Sequence, residues 1–368
     1  TRLVGGTAMA TLTGAQVGSV QARGVGTGTG SVASMTSIDA ASSVGALTVA
    51  AGGLDSRNDQ TDTLANGNRT IVTTQTASVS ALAGNARTDV AGRVTGAASV
   101  SSQGGGATLN LTGVAADTVT VNANAVARVS TTTQTFAVTR SQGFPVSQLT
   151  GQTTATTTTA RGGVATLAIA SSSALQTAGN NAVGGSINVN GFGGSVLTVA
   201  AGSRVLANNG GQVRAVGTAA NVDSTTTSSF DLASGAFTGA TIRQTVTSVA
   251  SPASITNAGA IGAPTTYFAA PITMRAESVG GATIANTGQV YGDVAAAGLG
   301  ERRESIIVQP LPTATTSVAT VTTATFMPLG AAARITNSGV ISGRTEVVGA
   351  TGSITNTGVI RGAAQLGT

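Results

Sequence analysis

Few residues in this 368-residue chain could do chemistry. It holds no His and no Cys, and all 18 of its basic residues are Arg. Ser-His-Asp and Cys-His nucleophiles and His- or Cys-ligated zinc are therefore closed, as are the lysine-dependent Schiff base, Ser-Lys dyad and P-loop. Carboxylate chemistry remains. The 13 acidic residues are mostly isolated, and aromatics, which sugar sites use as platforms, make up 2% of the chain. The chain reads as non-enzymatic, with no catalytic, cofactor-binding or metal residues. One acidic stretch stands out, Asp55-Ser-Arg57-Asn58-Asp59-Gln-Thr-Asp62 after Gly52-Gly53. It has enough oxygen ligands for a loop calcium, but it occurs once, and a solvated loop is the plainer reading. Whether Asp55, Asp59 and Asp62 bind calcium stays open at this stage.

The strongest pattern is structural. A nine-residue phrase, Ile-x-Asn-x-Gly-x-(Ile/Val)-x-Gly, occurs around Asn257 and Gly259, Asn286 and Gly288, Asn337 and Gly339, and Asn356 and Gly358. The first copy is one residue short before its final Gly262. Each phrase predicts an inward β-branched residue, then Asn and Gly at φ > 0 or tight-turn positions, then a second inward β-branched residue on a new short strand. So small a unit cannot bury its apolar side alone, whereas stacked copies can. Ile335 and Ile354 are 19 residues apart, close to one turn of a parallel β-helix; Ile255 to Ile284 and Ile284 to Ile335 span 29 and 51, a turn plus added material. Stacked Asn257, Asn286, Asn337 and Asn356 predict a side-chain ladder; the alternative is that Asn merely suits the turn.

Composition agrees with a narrow core of short strands. Charged residues are 8%, Trp is absent, and there are 51 Gly. An ordinary domain carries about 25% charge. Positive mean hydropathy and recurrent Val and Ile count against disorder. Gly and Thr interrupt every Ala run, so helix is poorly supported. The net charge of +5 is thinly spread, with only Arg302-Arg303 adjacent between Glu301 and Glu304, so nucleic acid is not an expected partner. No apolar run is long enough for a transmembrane helix, and two Tyr with no Trp cannot make the aromatic girdles of a membrane barrel.

Along the chain, the run Gly24-Val-Gly26-Thr-Gly28-Thr-Gly30 lacks the helix and glycine spacing of a dinucleotide loop. Leu47-Thr-Val49-Ala-Ala-Gly52 recurs letter for letter as Leu197-Thr-Val199-Ala-Ala-Gly202, with weaker relatives at Leu109-Asn-Leu111 and Val119-Thr-Val121. Thr-rich excursions follow such blocks, at Thr70–Thr76, Ser130–Thr135, Phe136–Ala160, Ser224–Ser229, Ile242–Ala250, Thr265–Met274 and Thr313–Phe326. Each reads as one or two extended strands. They either shield the stack as side hairpins or add strands to a neighbouring subunit. Pro252, Pro264, Pro271, Pro310, Pro312 and Pro328 lie at their borders.

The phrases at Ile335–Gly343 and Ile354–Ile360 resemble the β-strand repeats of large Gram-negative surface proteins, autotransporter passengers and haemagglutinin-like exoproteins. The resemblance covers about residues 255–362. It implies a right-handed parallel β-helix, secretion across the outer membrane, and an adhesive or structural role.

The expected fold is an all-β parallel β-solenoid of roughly fifteen rungs, about 70 Å long, with projecting Thr-rich strands. Residues 1–250 form an irregular solenoid with excursions and 251–368 the phrase-bearing part, as one continuous solenoid. The expected role is an extracellular rod or self-assembling filament subunit on a bacterial surface, associating end to end or by strand addition. Neither end shows a polar cap, which favours a longer parent chain or head-to-tail assembly. Two rivals are an adhesin for a glycan or host receptor and a polysaccharide-active enzyme whose carboxylates converge from separate rungs.

Overall fold

The computed structural model describes residues 6–25, 32–65, 69–82, 84–124, 126–141, 144–160, 162–170, 182–207, 211–217, 219–230, 237–263, 272–299, 302–310, 325–326 and 330–367. Every regular element among them is a β-strand. The run Gly26–Gly30, Thr265–Pro271, most of Thr313–Phe326 and Glu301 lie outside the described residues.

Most strands belong to parallel sheets. The first has ten: Ala8–Leu12, Val32–Ile38, Asn85–Val90, Ala107–Leu111, Ala165–Ile169, Ser195–Val199, Ala253–Asn257, Ala282–Asn286, Ala332–Asn337 and Thr351–Asn356. Their order in space is their order in sequence, so the chain returns to this sheet once per circuit. Between visits it crosses a two-residue strand such as Gln289–Val290 and then a longer strand of a second parallel sheet, such as Gly292–Gly298. Ten strands at about 4.8 Å extend about 43 Å, fewer circuits than the expected fifteen. The difference lies in the excursions, which absorb far more chain than a plain turn.

In-register pairing turns the sequence into columns. One inward column of the first sheet reads Leu109, Leu167, Leu197, Ile255, Ile284, Ile335, Ile354. The second sheet contributes Val49, Val100, Val121, Val189, Ala215, Ala276, Ala296, Val347. The short strands add Val205, Ile261, Val290, Ile341, Ile360. These columns meet in one buried cluster that runs from Val20 to Val347. A fully buried Leu or Ile contributes about 1.5–3 kcal/mol, and alternation in each strand sends every second residue inward. Aromatics are unnecessary because the space between three narrow sheets suits branched aliphatics. A column of Ala and Ser beside the long-side-chain column (Ala107, Ala165, Ser195, Ala253, Ala282, Ala333) fills the tighter corner.

The identical hexapeptides do not occupy equivalent places. Leu47 and Val49 are in the second sheet, whereas Leu197 and Val199 are in the first. Both sheets ask for the same inward–outward alternation, so one phrase satisfies either. Similarly, Ile272–Ser278, the end of one presumed excursion, is a second-sheet strand whose Met274 is buried.

The Thr-rich segments form a separate antiparallel sheet of eight strands: Gly53–Ala65, Thr70–Leu82, Val126–Ser141, Phe144–Ala160, Ala219–Phe230, Phe237–Val249, Arg302–Pro310 and Thr325–Phe326. Consecutive strands are hairpins, and each hairpin bonds to the next. All leave the ends of second-sheet strands and rejoin the first sheet, one hairpin for every two circuits. The repeat is commensurate: a hairpin supplies two strands, and two circuits rise by two strand spacings, about 9.6 Å. Successive hairpins therefore reach each other in bonding register. Beyond its first residue, Gly53, no described side chain of this sheet is buried. The strands thus pair within the molecule and do not lie along the parallel sheets as shields.

Candidate functional site

The most organised polar feature is the corner built by the nine-residue phrase. Asn257, Asn286 and Asn337 are buried inside the first sheet. Their column continues an aliphatic one, Ile38, Val90, Leu111, Ile169, Val199 and then Asn257. From Asn257 onward the side chains bond in series. Asn257 Nδ2 donates to Asn286 Oδ1 at 2.8 Å, Asn286 Nδ2 to Asn337 Oδ1 at 2.7 Å, and Asn337 Nδ2 to Asn356 Oδ1 at 2.7 Å. The second amide proton goes to the corner backbone: Asn286 Nδ2 to Gly288 O at 3.3 Å, Asn337 Nδ2 to Gly339 O at 3.2 Å, Asn356 Nδ2 to Gly358 O at 3.2 Å. The Gly259 amide donates to Asn257 Oδ1 at 3.2 Å. Each buried amide is satisfied by its neighbours, which removes the cost of burying it and fixes the register of the stack.

The glycines owe their identity to close approach and not to a left-handed backbone. None of Gly259, Gly288, Gly339 and Gly358 has a positive φ. A Cβ on Gly288 would stand 2.0 Å from Gly259 O, and one on Gly339 2.0 Å from Gly288 O. Successive circuits therefore touch backbone to backbone here. Gly262, which closes the short first phrase, does take a positive φ of 82°.

Outside this corner runs an open groove of about 560 Å³, lined by Ser203, Arg204, Gly259, Gln289, Tyr291 and Gly339 among others. Tyr291 Oη donates to Gln289 Oε1 at 2.6 Å. The lining offers an aromatic ring, an amide, a guanidinium and a hydroxyl. It contains no carboxylate, so it can bind polar ligands but has no acid–base pair for glycoside cleavage.

The acidic stretch is not a loop. Asp55 to Asp62 lie within the edge strand Gly53–Ala65, paired residue by residue with Thr70–Leu82. Strand alternation puts Asp59 and Asp62 on opposite faces, and Asp59 Oδ2 is bound by Arg57 Nε at 2.8 Å. No group of three potential ligands gathers for a metal among the described residues. Among the described residues one carboxylate is buried, that of Glu277, 6% exposed. It is held by Arg275 Nε at 2.5 Å and by Arg214 of the preceding circuit, whose Nε lies at 2.9 Å. Two guanidiniums and burial make this a structural ion group.

At the other end of the stack, Asp39 accepts from Ser42 Oγ at 2.6 Å and from the Gly14 amide at 3.0 Å. The Ser42 bond, then the Gly14 bond, hold its carboxyl below the ordinary 3.8. The groove and the hairpin lattice were not visible in the sequence, because both are assembled from residues of separate circuits. No family model, curated protein or solved structure matches the chain. No helix among the described residues is long and apolar enough to cross a membrane.

Proposed function

We propose that the three parallel sheets close into a β-solenoid and that the chain is a non-enzymatic, extracellular structural protein of a bacterial surface, a rod or filament subunit of the autotransporter-passenger or haemagglutinin-like kind. The observation that carries this reading is the stacking of ten in-register circuits with a buried Asn series along one corner. A rod needs stiffness along its axis, and backbone ladders reinforced by side-chain ladders supply it. Association end to end suits this design better than strand addition by the hairpins. The strands from Thr70–Leu82 to Phe237–Val249 are already paired on both sides, and one edge of the sheet, Gly53–Ala65, carries Arg57, Asp59 and Asp62, charges that guard an edge.

The test is antibody labelling of intact cells, with and without protease shaving, followed by electron microscopy of shear-released material. Surface labelling with thin rods or regular fibres is expected; a purely intracellular signal would overturn the reading. The Tyr291 groove favours a second reading, an adhesin for a glycan. In that case Tyr291→Ala would abolish binding to a glycan array and leave the rods unchanged.

A further inference from the structure

The antiparallel sheet carries an ordered array of hydroxyls that no single excursion reveals. Across five adjacent strands Thr61, Thr74, Thr133, Thr153 and Thr227 stand directly opposite one another, and Thr241 continues the backbone register on a sixth. Directly opposed residues share a face. Two residues to one side on that face lie Thr76, Thr131 and Thr225; two residues to the other lie Thr63 and Thr135. The other places in these rows hold Ala155, Gly151 and, between Thr63 and Thr135, Val72. Charges flank the block, with Arg57 and Asp59 on the edge strand, Arg243 opposite Thr225 on the sixth strand and Asp223 a row beyond.

The two faces treat their hydroxyls differently. On the opposite face, between the central strands Val126–Ser141 and Phe144–Ala160, polar side chains are spent on each other: Ser130 Oγ bonds Thr156 Oγ1 at 3.0 Å, Thr132 Oγ1 bonds Thr154 Oγ1 at 3.1 Å, and Gln134 Nε2 donates to Gln152 Oε1 at 3.4 Å. On the first face Thr74, Thr133, Thr153 and Thr227 have no side-chain hydrogen bond among the described residues. Their hydroxyls are free, beside methyl groups, on a lattice of about 4.8 Å across strands and about 6.8 Å along them.

We propose that this face binds ordered water, specifically the surface of ice. The two spacings are close to the oxygen repeats on a prism face of hexagonal ice. A threonine lattice meets that surface with hydroxyls at water positions and methyl groups in the hollows between them. The threonine block offers neither an aromatic anchor nor a charge for a protein partner. β-Branched residues hold few χ1 rotamers, so the array is pre-ordered before contact.

The experiment is partition of the 368-residue chain into slowly grown ice, with recrystallisation inhibition as a second readout. Two double variants are compared, Thr133→Tyr with Thr153→Tyr on the free face and Thr132→Tyr with Thr154→Tyr on the paired face. Tyr suits strands, and circular dichroism checks that both fold. The expected result is enrichment of the wild type in ice, loss of enrichment in the first variant, and retention in the second. Exclusion of the wild type from ice would overturn the proposal, as would equal loss in both variants. So would dimerisation of the wild type, seen by sedimentation and abolished by the free-face variant alone, because the face would then be an interface between copies.

Discussion

Asn286 is the residue whose removal should be felt furthest along the stack. It donates to Asn337 and accepts from Asn257, so Asn286→Ala strands one buried amide proton and one buried carbonyl. A loss of about 2–3 kcal/mol in urea unfolding is expected, and Asn286→Asp should be no better at neutral pH. Gly288→Ala should cost a similar amount through overpacking against Gly259 O, whereas Gly151→Ala, with open space at its Cβ, should be neutral or slightly stabilising. The opposite sign is expected at Thr88. Thr88 and its neighbour Thr36 are buried with unpartnered hydroxyls, in the column that holds Leu109 and Leu167 further on. Thr88→Val should therefore raise the melting temperature, with a gain of about 1 kcal/mol. Asp39 has a lowered carboxyl pKa, so its contribution is present at neutral pH and lost as acid takes the pH below 3.8 through the folded value. The Gly14 amide resonance should report a midpoint below 3.8, and Ser42→Ala should move that midpoint upward.

Among elements, the hairpins depend on one another more than on the parallel sheets. The circuit closed by the short turn between Ala98–Gln103 and Ala107–Leu111 needs no hairpin. Replacing residues 125–163 with such a turn should leave the parallel sheets folded. It should also leave Thr70–Leu82 and Ala219–Phe230 three strand spacings apart, about 14.4 Å, too far to bond. The first hairpin would then be an isolated pair, marginal in water. Hydrogen exchange should show lost protection in Thr70–Leu82 with protection retained in Ala107–Leu111; protection unchanged in both would contradict the interdependence. Much of this level was legible in the sequence. The phrase at Asn257, Asn286, Asn337 and Asn356 marks equivalent corners, because a corner where backbones touch admits only Gly two residues after the Asn. The earlier circuits were harder to read, since Leu111, Ile169 and Val199 occupy the Asn position and carry no turn signature. Hairpin pairing was unreadable for a different reason. Thr-rich strands have no apolar face to set their register, so only the two-circuit rise of the stack decides which threonines meet.

At the scale of the whole molecule, the proposed β-solenoid is a narrow rod, about 43 Å over ten circuits, with the paired hairpins as a fin along it. The most direct test is an electron cryo-microscopy map of the purified chain. A rod with a strand spacing of about 4.8 Å and a fin repeating at every second spacing, about 9.6 Å, is the predicted result. Hairpins folded back over the parallel sheets, or a fin whose repeat does not match two circuits, would contradict it.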